Sequence, residues 1–428
     1  MVWLLCALYM ISQIDRSILA VVAVPILSEM NITDTQFGLL GGAGFAAIYS
    51  TVGVPIASYI DNHNSNRLRV ITAGVLIWSV STIMCAFTTS LWELAACRVG
   101  VAVGEAVLTP AAISLFSDMF EEDRQTLPVA LYAGVATLLV AGSLAIGGGA
   151  FYLGTAIASL FDYSPWRTTM VVVGIPGLLV VGLFRMVARE PARRGGLRPD
   201  HQTTTIGGLV DLIRHLRANW RFFLPLYIGL AAWVTYMAGA ILWLPTILSR
   251  AYAISPSANG SLLASAVVPA SLLATIFWPW LAHRLQKRRH DGLILCYLIA
   301  VLIAGPFMIF AALADSPALF VAGMGIAFFG ILVGGALPTL TIQTYGAYRF
   351  RARLVAVMFL CGHLIGSCLG PLLVPQFAAI WGADPVALNY SLSLLGVITA
   401  GVIVISFLLC QRQIALFGRA AHLNEATP

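Results

Sequence analysis

Four ionisable residues stand inside stretches that are otherwise apolar: Asp15 and Arg16 side by side, and Arg98 and Glu105 seven positions apart. A charge at mid-membrane costs about 2.5–3.5 kcal/mol on insertion scales, so such groups face a cavity or a partner and mark substrate or ion pathways. Counting about 1.5 Å per residue along a helix puts Asp15, Arg16 and Glu105 near a bilayer centre and Arg98 nearer the outer face. A seven-residue spacing is close to two turns, so Arg98 and Glu105 share one helix face. Neighbouring residues on a helix point about 100° apart, so Asp15 and Arg16 should serve different partners. A carboxylate in a low-dielectric hollow takes up or gives off a proton as its surroundings change. Asp15 or Glu105 is therefore the expected proton-coupling site. Arg16 either pairs with Glu105 or grips an anionic head group through bidentate hydrogen bonds. The bland alternative is a static Arg16–Glu105 bridge that only locks two helices.

Weaker candidates follow. His363 either titrates near neutral pH or stays neutral, hydrogen-bonded between helices. Tyr49, Tyr132, Tyr236 and Gln343 are candidate polar tips of a substrate cavity, with ordinary packing as the alternative for each. Trp243 and Trp278 suit interfacial belts or packing.

These residues need a scaffold, and the composition says which. The chain has 428 residues, 59% of them hydrophobic and 10% charged, where soluble domains carry about 25% charged residues. A soluble fold cannot hide that much apolar side chain, because its surface must meet water. Applying a length of roughly 20 apolar residues per crossing gives spans at 2–28, 36–60, 70–89, 91–117, 127–160, 168–187, 221–248, 258–282, 291–313, 317–344, 353–381 and 385–411. The expected fold is all-α and polytopic, with twelve transmembrane helices in two six-helix bundles. The first span is too long, and too charged at Asp15 and Arg16, for a cleaved signal. The fifth is overlong and glycine-rich at Gly147, Gly148 and Gly149, so part of it is expected to form an external loop.

The long polar connection 188–220 divides the chain into a bundle over 1–187 and a bundle over 221–428. Ile206, Leu209, Leu212, Ile213 and Leu216 within it fit an amphipathic helix lying on the membrane surface. Of the 24 Lys and Arg, Arg16 and Arg98 fall inside the membrane and Arg167 and Arg250 outside. The remaining basic residues face the cytoplasm if both termini are inside, as the positive-inside rule requires. The formal charge of +6 thus reflects topology, and no nucleic-acid partner is expected. The seven cysteines all lie in apolar stretches and read as core residues. No Lys-Ser/Thr follows a glycine-rich loop, and no zinc, haem or nucleophile–base spacing occurs. ATP-driven transport, enzymatic chemistry and cofactors are not expected. A channel would have no need of a buried carboxylate–arginine cluster.

Several runs resemble the major facilitator superfamily, and within it the spinster-like branch close to the anion:cation symporters. They are Ile14-Asp15-Arg16-Ser17 with Pro25 and Thr33-Asp34-Thr35-Gln36-Phe37-Gly38, and Arg98 to Gly104-Glu105-Ala106 with Pro110 and Asp118. Trp166-Arg167, Gly174-Ile175-Pro176-Gly177, Arg189-Glu190-Pro191, Trp243-Leu244-Pro245-Thr246 and Gly370-Pro371 continue the likeness along most of the chain. The loop after span two departs from the family pattern at Ala57 and Asn62, and His283 stands where the second half usually has Asp.

The resemblance implies alternating access and proton coupling at Asp15, Arg16 and Glu105, with Arg16 and Arg98 available to substrate. It implies a cytoplasmic gate of Asp61, Arg67, Asp118 and Arg124, with Asp61 capping span eleven and Arg67 pairing with an acid of the 118–123 loop. It also implies a monomer in a bacterial inner membrane. The expected substrate is an amphiphilic anion of the sphingosine-1-phosphate or lysophospholipid kind. The alternative is a small organic anion such as a sugar acid.

Overall fold

The structure is a computed structural model of the chain, and it describes all residues except 62–64, 122–123, 194–204, 336, 348–349 and 426–428. For Asp61 and His363, among others, only the backbone is described. The described residues form helices throughout: α1 (Val2–Val21), α2 (Ala23–Met30), α3 (Asp34–Gly38), α4 (Phe45–Asp61), α5 (Arg67–Cys85), α6 (Leu91–Glu105), α7 (Leu108–Met119), α8 (Thr126–Phe161), α9 (Pro165–Val187), α10 (Thr205–Ala218), α11 (Trp220–Tyr252), α12 (Pro256–Gln286), α13 (Gly292–Ala312), α14 (Pro317–Ile331), α15 (Leu337–Tyr345), α16 (Arg351–Leu360), α17 (Ser367–Ala378) and α18 (Ala387–Glu425). Twelve helical segments among the described residues are long and apolar enough to cross a membrane, and each overlaps an expected span. Helix is the answer dictated by lipid, which offers no partner to an unpaired backbone group.

Prolines set the breaks that matter. A proline lacks the N–H and its ring crowds the carbonyl four residues before it. Pro25 acts on Val21, and α1 ends there, with Val22 at φ −92°, ψ 11°. Pro110 acts on Ala106, and α6 gives way to α7 between Glu105 and Leu108.

The expected external loop in the fifth span is not there. Helix α8 runs unbroken for 36 residues. Gly148 serves close packing instead: a Cβ there would lie 2.9 Å from the Ser257 carbonyl oxygen.

The chain divides into two compact units. One comprises Met1–Leu197, Ala240–Val268 and Ala379–Leu388, the other Arg198–Gly239, Pro269–Ala378 and Asn389–Pro428. In the first, Leu8, Leu68, Val75, Trp78, Val101, Leu115, Phe116 and Phe184 form a buried core. Helices α5 and α6 touch backbone to backbone, since a Cβ on Gly104 would sit 2.5 Å from the Gly74 carbonyl oxygen. Residues 240–268 join this unit because Arg250 bonds Asp34 (2.6 and 2.8 Å) and Trp243 meets Phe37 edge-on at 5.9 Å. In the second unit, Trp278 is buried and donates to the Phe329 carbonyl at 2.8 Å. Trp243 and Trp278 are thus packing residues.

Helix α10 covers the stretch expected to form an amphipathic helix. Leu212 is buried while Val210 and Ile213 are exposed. The side chains of Ile206 and Leu209 lie outside the described set.

Candidate functional site

Asp15 and Arg16 reach the middle of the first unit on α1, two turns before its proline break. Across from them stands α6, started by a capping box in which Ser90 and Glu93 satisfy each other's backbone N–H groups. Two turns in, this helix presents Arg98, and its last residue is Glu105.

The four charges form two crossed pairs. Arg98 Nη1 lies 3.4 Å from Asp15 Oδ1, and Arg16 Nε donates to Glu105 Oε2. Adjacent residues on α1 therefore reach partners two turns apart on α6, as their divergent directions require. Thr82 of α5 donates its hydroxyl to Asp15 Oδ2. Sequence reasoning did not single out Thr82, for a threonine in an apolar helix carries no mark of its own. The Arg16 guanidinium also lies over the Tyr49 ring at 4.5 Å and the Phe45 ring at 5.4 Å, and Arg98 approaches the same Phe45 ring at 5.2 Å. Phe45 was likewise unmarked. It follows directly on a π-helical turn over Leu39–Gly44, a feature that often accompanies functional sites.

Access differs sharply among the four. Asp15 and Glu105 are each 1% exposed and Arg98 2%, whereas the Arg16 side chain is 31% exposed. Among the described residues Glu105 Oε1 and Arg98 Nε find no hydrogen-bond partner, an unusual state for buried polar atoms.

A second arginine cluster lies at the start of α5. Arg67, fully buried, donates to Asp118, to Glu190 at 2.7 Å, and to the Ser114 carbonyl at 2.8 Å and hydroxyl at 3.1 Å. Glu190 also accepts from the Leu68 backbone N–H at 3.0 Å, close to the positive end of α5. The family resemblance led to Asp118 as a partner but not to Glu190, although Arg189-Glu190-Pro191 was in view. Arg124 is exposed in the turn before α8. The Asp61 side chain lies outside the described set.

Of the other candidates, Tyr132 is buried against Tyr9 at 4.6 Å and shares a 3.2 Å hydrogen bond with Thr109. Tyr236 and Gln343 belong to the second unit. Tyr236 is buried with its hydroxyl unpartnered among the described residues, and Gln343 is exposed. The His363 side chain is not described; its backbone sits in a second π-helical turn, Cys361–Gly366. A cavity of about 400 Å³ opens between α1, α8 and α9, lined by Ile11, Ile14, Ile146, Leu153, Val172 and Pro176 among others. It occupies the face of α1 away from Arg16 and offers no charge.

Outside the membrane spans, Glu29 accepts from Ser164, from Trp166 Nε1 at 2.6 Å and from Arg167 Nε at 2.8 Å. Partial burial pushes its carboxyl up, but these three hydrogen bonds outweigh it and hold the group below its usual range. Among the described residues no group of His, Cys, Asp and Glu is arranged to hold a metal ion.

The chain is similar to known membrane transporters. The family model of the Major Facilitator Superfamily matches residues 5–371. An MFS-type efflux pump of Mycolicibacterium smegmatis is 26% identical, over 85% of this chain and 80% of its own length. A probable L-galactonate transporter of Escherichia coli is 24% identical over 59% of this chain and 55% of its own length, so the match spans about half of that relative. Among solved structures, a bacterial homologue of the human lysosomal transporter Spinster, crystallised inward-facing and unoccupied, superposes with a TM-score of 0.79 at 25% identity, covering 96% of each chain.

Proposed function

We propose a function on the premise that this chain belongs to the major facilitator superfamily. It is a multi-pass membrane transporter, and its relatives are transporters and not enzymes. Beyond that, our reading is a proton-coupled carrier of an amphiphilic anion, sphingosine-1-phosphate-like or lysophospholipid-like, working by alternating access between the 1–187 and 221–428 bundles joined by 188–220. It would lie in a bacterial inner membrane as a monomer with both termini in the cytoplasm.

The observation that carries this reading is Arg16, a partly exposed arginine held by a buried carboxylate with a spare oxygen. With all four groups ionised, two positive and two negative charges cancel. A proton on Glu105 removes its claim on Arg16 and leaves the cluster with one net positive charge beside open guanidinium donors. An anionic head group can then take the place of the carboxylate in bidentate fashion. Proton and anion thus favour each other's binding, and the coupling is reciprocal. The Tyr49 and Phe45 rings keep the guanidinium oriented while its partner changes. Asp15, tied to Arg98 and Thr82, is the second carboxylate in the relay. The likeness to a sphingosine-1-phosphate transporter of Danio rerio, 24% identical over 58% of this chain and 47% of its own length, supports the amphiphilic substrate.

A second reading, symport of a small organic anion, draws support from the L-galactonate transporter relative. Proteoliposome uptake under an imposed pH gradient distinguishes the two. Uphill accumulation of sphingosine-1-phosphate, unmodified and without galactonate uptake, is the expected result. Accumulation of galactonate alone would favour the second reading. Equilibration that never exceeds the external concentration would remove coupling altogether.

A further inference from the structure

The junction of α10 and α11 carries a feature that substrate transport does not use. Helical hydrogen bonding runs on through Asn219, whose N–H reaches the His215 carbonyl at 3.0 Å and whose carbonyl accepts from Phe223 at 3.1 Å. The exposed face of the membrane span therefore continues onto α10. Along it lie Val210, Ile213, Arg217, Trp220, Leu224 and Ile228, all exposed and three or four residues apart. The opposite face is packed within the same unit, with Leu212 and Phe222 buried and His215 against Phe350 at 4.8 Å.

Length fixes where this stripe meets the bilayer. Span α11 has 33 residues, about 50 Å of helix against a hydrocarbon core of about 30 Å. The excess leaves room outside the core, and Trp220 with Arg221 at its start suits the head-group layer. There the exposed stripe turns from purely apolar to apolar plus basic. Arg221 lies over the Trp220 ring at 5.9 Å, Arg217 is one turn further out, and Arg214 follows, with Asp211 3.5 Å from it. Residues 205–224 hold three arginines against that one acid. Tryptophan is a residue of membrane interfaces, and arginines beside a lipid-facing helix draw anionic lipids.

We propose that Arg217 and Arg221, with Trp220 between them, form a binding site for the head group of an anionic phospholipid of the surrounding bilayer. Its acyl chains would run along Leu224 and Ile228. Guanidinium forks suit the phosphodiester, and the adjoining apolar stripe suits the tails.

The test uses the full chain reconstituted in phosphatidylcholine bilayers carrying a trace of spin-labelled phosphatidylglycerol or spin-labelled phosphatidylcholine. Electron paramagnetic resonance reads the fraction of label held at the protein. Wild type should hold phosphatidylglycerol in preference, and the preference should weaken with added salt. R217Q/R221Q should lose roughly fivefold in relative association for each arginine removed at low salt. R217K/R221K should keep most of it, since the charges remain. Both variants alter exposed side chains and should reconstitute as wild type does. Equal retention of the two lipids by wild type would overturn the proposal, as would a preference indifferent to salt or to R217Q/R221Q. Displacement of the labelled lipid by inorganic phosphate, but not by sodium chloride of equal ionic strength, would show a site for a soluble anion and overturn it too.

Discussion

Two arginine clusters in the same unit use similar residues to different ends. Arg67 is fully buried, and its donors are taken by Asp118, Glu190 and the Ser114 carbonyl and hydroxyl. Arg16 has Glu105 and two aromatic faces and is partly exposed, while Glu105 Oε1 and Arg98 Nε go without partners among the described residues. A satisfied network resists change, because breaking any member leaves a buried charge unpaired. An unsatisfied one leaves room for a ligand or a proton. On the proposed reading, the two clusters differ in completeness and not in residue type.

The comparison makes separable predictions. The largest effect should come from removing the exchangeable proton. Glu105→Gln and Asp15→Asn should each abolish accumulation driven by a pH gradient while substrate exchange across the membrane persists in part. Counterflow of labelled substrate, measured beside gradient-driven uptake, checks this. Gradient-driven uptake at the wild-type level at every pH would remove that carboxylate from coupling.

Next comes stability. Arg67→Ala removes the guanidinium that Asp118 and Glu190 share and should cost about 3–5 kcal/mol, seen as a large drop in thermal midpoint in detergent. Arg16→Ala should cost less, since its side chain is partly exposed. Glu105→Gln added to Arg16→Ala should recover part of that loss. If the double variant is no more stable than Arg16→Ala, the pairing carries no weight.

Smaller still is the aromatic support. Tyr49→Ala should weaken substrate affinity roughly tenfold through loss of a cation–π contact of about 1–2 kcal/mol, and Tyr49→Phe should retain it. A binding titration that ranks the two variants alike would remove the ring from this role.

The smallest effect concerns Glu29. Its carboxyl is held below the ordinary range in the fold. The stabilisation it gives is complete above the unfolded value of about 4.3 and is lost as pH falls through the lower folded value. The thermal midpoints of wild type and Glu29→Gln should therefore differ at neutral pH and converge in acid. A gap that persists in acid would contradict this.

The sequence disclosed the spans and the four buried charges because lipid makes both conspicuous. Apolar length defines a crossing, and an ionised residue within it has no ordinary excuse. The breaks at Pro25 and Pro110 were not read from the sequence, since the expected spans 2–28 and 91–117 run through both prolines. Less visible were the groups whose meaning depends on register between helices. Thr82, Phe45 and Glu190 each matter through a neighbour far away in the chain. The glycine run 147–149 misled for a related reason. In water it would open a loop, whereas here lipid keeps it helical, and the missing side chains of Gly147 and Gly148 let neighbours approach closely. In α10, which residues turn inward was decided by tertiary packing around Leu212 and His215.

The central claim is that a proton enters and leaves the Arg16–Glu105 pair with each substrate carried. Proteoliposomes holding a trapped pH indicator and wild-type protein, given sphingosine-1-phosphate across a pH gradient, test it most directly. The account predicts that substrate speeds collapse of the gradient in step with its own accumulation, and that Glu105→Gln abolishes both. Substrate accumulating at an undiminished rate while the internal pH stays fixed would contradict it.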